Sequence, residues 1–171
     1  MDDQSSEALV NLCLALKPSL RILSVRGFRQ DTLQLKPVFE TVRDTLEGLF
    51  ISNENLLADV LDLSFPCLKV FRVNYWAECI GRFLDRPMFE NVTTIALYSH
   101  TIYRRRRQFR TDPFRHMPNL QQMIFTHTRV GDEAPYNYSE ACHRRGIRLI
   151  HINHGSVHEI MKLDARLPDR T

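Results

Sequence analysis

One six-residue pattern, apolar-x-x-apolar-x-apolar, recurs six times along this chain and restricts its fold more than any other feature. It is formed by Leu20, Leu23 and Val25, then Leu46, Leu49 and Ile51, then Leu68, Phe71 and Val73. Val92, Ile95 and Leu97 follow, then Leu120, Met123 and Phe125, and last Ile147, Ile150 and Ile152. The first positions stand 26, 22, 24, 28 and 27 residues apart. In each unit the last two apolar positions are two residues apart. Alternate strand residues share a face, so both point into one core. One unit cannot cover its own apolar face, whereas a stack of units can.

Turn and helix signals fall between the units. Pro18-Ser19-Leu20, Pro66-Cys67-Leu68 and Pro118-Asn119-Leu120 share a Pro-x-Leu entry, which ends a helix before each strand. Gly146 suits a helix C-terminus before Ile147. Apolar spacings of three and four predict helices over 33–42, 56–63 and 77–84. A shorter helix is expected over 138–145, capped by Ser139, and a last one over 157–167, capped by Ser156. The 5–17 segment is also helical in pattern and apolar nearly all round, so it needs cover on more than one side.

Units of this length fall within the 20–29 residues of a leucine-rich repeat. The expected fold is therefore α/β, a leucine-rich-repeat solenoid with a curved parallel sheet of about six strands and helices on the convex side. Residues 1–17 form a capping helix or the end of a preceding repeat, 18–155 the repeats, and 156–171 a C-terminal helix and tail. The Pro-x-Leu-x-x-Leu-x-Val units at 18–25, 66–73 and 118–125 resemble the irregular repeats of F-box-like proteins, especially fungal ones. Phe28, Glu54, Trp76, His100, Thr128 and Gly155 stand where regular repeats carry Asn or Cys. The resemblance implies a substrate-recognition role in a ubiquitin ligase receptor. No F-box is recognisable in this chain, so that role belongs to a longer parent.

The same alternation turns a second set of residues outward, onto the expected concave face. Ile22, Ser24, Arg26, Gly48, Phe50 and Ser52 belong to it, followed by Val70, Arg72, Asn74, Thr94, Ala96 and Tyr98. Gln122, Ile124, Thr126, Leu149, His151 and Asn153 complete it. Phe50, Val70, Arg72, Asn74, Tyr98, Ile124 and His151 are the candidate partner-binding residues, because apolar and aromatic groups flanked by arginine suit a protein interface. The competing reading is that a neighbouring loop covers them.

Arg104, Arg105, Arg106, Arg107 and Arg110, with Tyr103 and Phe109, make the strongest charge feature. They offer the alternative function, a nuclear or RNA-associated protein, against the plain reading of a solvated surface. His151, His154 and His158 lack the further ligands that a zinc site needs, so no metal is expected. No Gly-rich phosphate loop, GxSxG or HExxH occurs, which leaves a non-enzymatic protein-interaction module without a cofactor. A net charge of +3 is too small to demand nucleic acid or membrane. No apolar run reaches transmembrane length, and the acidic, polar start lacks the basic opening of a secretory signal. A monomer in the cytoplasm or nucleus is expected, with Cys13, Cys67, Cys79 and Cys142 as buried thiols.

Overall fold

Each of the six apolar units contributes one strand to a single sheet. A computed structural model describes residues 3–27, 35–75, 83–98, 112–127 and 136–168. The strands are β1 (Ile22–Val25), β2 (Gly48–Asn53), β3 (Val70–Tyr75), β4 (Thr94–Tyr98), β5 (Gln122–Thr126) and β6 (Arg148–Ile152). All neighbours pair in parallel, and the spatial order is the chain order. Four α-helices accompany them among the described residues: α1 (Asp3–Leu16), α2 (Lys36–Val42), α3 (Tyr136–Arg145) and α4 (Val157–Asp164). No helix among the described residues is long and apolar enough to cross a membrane.

The described parts of the connections between strands pack on one face of the sheet and build the main core there. Phe39 of α2, Leu57, Phe89 and Tyr138 of α3 all join the cluster formed by Leu49, Phe71, Ile95, Met123 and Phe125. Aromatic rings link adjacent layers. Phe71 and Phe89 lie 4.7 Å apart, and Phe125 and Tyr138 meet edge to face at 6.1 Å. The predicted helix over 56–63 is instead a 3-10 turn, Glu54–Leu57, followed by turns. It still buries Leu56, Leu57 and Val60, so the packing demand is met without a full helix. Most of the 77–84 segment lies outside the described residues. Cys13 and Cys142 are buried, but Cys67 is exposed, contrary to expectation, because it sits on the turn before β3. Cys79 lies outside the described residues.

Helix α1 packs against the main core through Leu9, Val10 and Cys13, while Leu12, Leu14 and Leu16 are left exposed. Its nearly uniform apolar surface is thus covered on one side only. The helix before β6 begins at Tyr136, which places Ser139 inside it rather than at its cap.

One register differs from the sequence pattern. From β1 to β4, the residue just before each strand accepts at its carbonyl from two successive N–H groups of the next unit. Arg21 O accepts from Glu47 N and Gly48 N at 2.7 and 3.0 Å, and Thr93 O accepts from Gln121 N and Gln122 N at 2.8 and 3.0 Å. At β6 only Arg148 N joins this ladder, at 2.8 Å from Gln121 O. Ile147 N turns back to Cys142 O at 2.8 Å, and Gly146 N to His143 O at 3.2 Å. With Gly146 at φ +64°, this is a Schellman ending of α3. It takes up one residue, so Leu149 pairs with Met123 and His151 with Phe125. Ile150 and Ile152 therefore face the opposite side from the anchors of the other five strands.

Candidate binding cleft

The outer face of the sheet is not open. Helix α4 lies across it, and Val157, Ile160, Met161 and Leu163 pack on Phe50, Val70, Ala96, Ile124, Ile150 and Ile152. Apolar residues spaced three and four apart make α4 amphipathic, and the outward apolar strip is what its stripe needs. Phe50, Val70 and Ile124 are 3%, 0% and 0% exposed, so as candidate contacts they are corrected: they form a second, smaller core. The reading that something covers them was right in kind, although a helix rather than a loop does so. His151 is corrected too. It stays exposed, but the one-residue shift at α3 turns it to the face opposite α4, with its ring 5.4 Å from that of Phe125.

Polar contacts fix α4 at both ends. Ser156 caps it by accepting from Glu159 N at 3.1 Å, as the sequence led one to expect. At the far end Asp164 Oδ1 accepts from Thr93 Oγ1 at 2.8 Å and Thr94 Oγ1 at 2.6 Å. Two close approaches set its height. A Cβ on Gly48 would stand 2.9 Å from Met161 Sδ, and one on Gly155 would stand 2.5 Å from Thr126 Cγ2. Gly155 lies by Arg72 and Thr126, and Asp164 lies at the start of β4, so α4 runs antiparallel to the strands.

Where α4 begins, it leaves a cleft of about 370 Å³ over the C-terminal ends of the strands. Arg26, Arg72, His127 and His154 line it with Ser24, Ser52 and Asn74. No carboxylate lines it among the described residues. Arg72 rises from β3 and its Nη1 donates to Gly155 O, tying the turn before α4 to the sheet. Its Nε is buried without a hydrogen-bond partner. Burial, and secondarily the charge of Arg26, holds the Arg72 guanidinium below its ordinary pKa. It nonetheless stays charged at neutral pH, since arginine does not deprotonate in proteins.

His127 has φ +57° and sits with its ring 5.0 Å from Tyr98 and 6.4 Å from His154. Burial lowers its pKa first, and the charges of Arg72 and His154 lower it further. Ser52 is committed to Gly27, donating to its carbonyl at 2.9 Å and accepting from its N–H at 3.0 Å. Of the candidate contacts, Arg72, Asn74 and Tyr98 thus gather at this end of the sheet. Arg26, His127, His154 and Ser52 join them. His127 was missed and His154 was weighed only as a metal ligand, because each follows its strand in a turn whose path no local pattern reveals. Among the described residues no three His, Cys, Asp or Glu side chains converge in a way that would hold a metal. Arg104, Arg105, Arg106, Arg107 and Arg110 lie outside the described residues.

No family model, no characterised protein and no solved structure matches this chain significantly.

Proposed function

We propose that this chain is a leucine-rich-repeat solenoid of the F-box-like kind, serving as a non-enzymatic module that binds another protein. The observation that carries this reading is the division of the outer face. Helix α4 covers its centre, and the strand ends beside it present Arg26, Arg72, Tyr98 and His127 around a cleft. Arginine and tyrosine beside a cleft are the groups that dominate protein interfaces. The ends of parallel strands also commonly carry the binding site in sheets of this type. Six parallel strands in chain order, with the described parts of their connections packed on one face, support the solenoid part of the reading. In a longer parent the module would present a substrate to a ubiquitin ligase.

Nuclease-treated affinity capture with the wild-type chain tests this. Partners should be lost with the combined variant Arg26→Glu and Tyr98→Ala, and retained with Arg144→Glu on the opposite side of the sheet. Partners captured equally well by the rim variant would refute the reading. Partners that vanish with nuclease alone would favour the basic, RNA-associated alternative.

A further inference from the structure

The cleft contains more positive charge than the described residues neutralise. Arg26 and Arg72 both line it, and neither forms an ion pair among the described residues. Arg72 is half-buried, one of its N–H donors is spent on a neutral carbonyl, and its Nε is buried without a partner. A buried charge without a counter-charge is costly. A lysine or histidine could relieve that cost by losing its proton, but an arginine cannot. Among the described residues no carboxylate lines the cleft to offset it, and an arriving anion would do so.

Other groups around the cleft point the same way. His127 and His154 add two imidazoles, and Ser24 adds a hydroxyl. The cap Ser156 and the first residue of α4, Val157, also line the cleft, so the positive end of that helix faces it. A planar guanidinium with spare donors matches the oxygens of a tetrahedral oxyanion, and two arginines suit a dianion better than a carboxylate.

We propose that this cleft binds a phosphate group, either as the free ion or as a monoester carried on a side chain. The proposal deepens the interface reading and rests on the same rim, but it concerns the cleft's own chemistry and is tested without a partner.

The experiment is a titration of the isotope-labelled full chain followed by NMR, at constant ionic strength. The probes are inorganic phosphate, phosphoserine and chloride. Saturable shifts at the amides of Gly27, Gly155 and Val157 are expected with a phosphate probe and not with chloride. Arg26→Gln, at an exposed side chain, should weaken binding about tenfold while leaving the remaining spectrum intact. Arg72→Met should abolish binding, and Arg72→Lys should recover part of it by restoring charge without the fork. Tighter binding of phosphoserine than of inorganic phosphate would assign the site to a modified side chain, and the reverse order to the free ion. Shifts that match those with chloride, or wild-type affinity in Arg26→Gln, would overturn the proposal. Partner capture left unchanged by the rim variant, with phosphate binding by the wild-type chain intact, would instead count against the interface reading alone.

Discussion

Gly155 stands directly over Thr126, so close that a Cβ on the glycine would lie 2.5 Å from Thr126 Cγ2 and 2.8 Å from Thr126 Cβ. Thr126 is wholly buried on β5 and its branched side chain has little freedom to yield. Gly155→Ala should therefore destabilise the fold by about 1–3 kcal/mol, the usual cost of overpacking. Adding Thr126→Ser removes the nearer methyl and should restore part of that loss. Equilibrium urea unfolding of the single and double variants measures both. At Gly48 the facing atom is Met161 Sδ, the end of a flexible side chain, so Gly48→Ala should cost clearly less than Gly155→Ala.

Ile160 is fully buried between α4 and the apolar strip of the sheet. Ile160→Ala should cost about 2–5 kcal/mol, as for other large-to-small changes in a core. Because the strip beneath includes Phe50, Val70 and Ile124, the variant should also bind a hydrophobic dye before global unfolding begins. Dye fluorescence followed along the urea curve is the measurement. Coincident dye and unfolding transitions would show that α4 does not separate from the sheet on its own.

Asp164 ends α4 by accepting from two threonine hydroxyls at the start of β4. Hydrogen bonds to a charged acceptor are worth more than neutral ones, and Thr94 Oγ1 would lose its carboxylate partner in a buried setting. Asp164→Ala should lower stability by about 1–3 kcal/mol, with Asp164→Asn in between. The loss should be absent when Thr93 and Thr94 are already replaced by alanine and valine, as a double-mutant cycle would reveal.

His127 should titrate below the ordinary imidazole value, because burial and the charges of Arg72 and His154 disfavour its cation. Its folded pKa lies below the unfolded one, so as the pH falls the unfolded chain takes up the proton first. This histidine's contribution is then complete above the unfolded value, about 6.5, and is lost progressively on the acid side of it. His127→Asn should consequently lose less stability than wild type between about pH 7.5 and pH 5.5. Bound phosphate should raise the His127 pKa, which NMR titration of the ring protons would reveal.

Cys142 and Cys67 should differ sharply toward alkylating reagents. Burial, and then the charge of Asp112, push the Cys142 thiol up to about 12, although Arg145 opposes this. At pH 8 only about one thiol in ten thousand is then ionised, and the thiolate is the reactive form. Cys67 is exposed on its turn. Native-state iodoacetamide mapped by mass spectrometry should label Cys67 and spare Cys142 until the chain unfolds.

By itself the sequence determined where the six strands lie and which face most of them turn to the core. That information is local: anchors two residues apart within one strand share a side whatever the rest of the chain does. It worked from Leu23 through Phe125, where the two faces differ in polarity or in spacing. It failed at β6, where Ile147, Leu149, Ile150 and Ile152 are apolar at both parities. A strand apolar at both parities carries no alternation to read, and the Schellman turn at Gly146 decided the phase.

Only the tertiary structure decided what covers the outer face. The stripe of Val157, Ile160 and Met161 was visible as a helix pattern, and the strip of Phe50, Val70 and Ile124 as an outward row. Their union spans more than a hundred residues of chain and depends on the small size of Gly48 and Gly155, which no periodicity records. The cleft follows from that docking. Arg26, Arg72, His127 and His154 come from different units and become one site because α4 stops short of the strand ends.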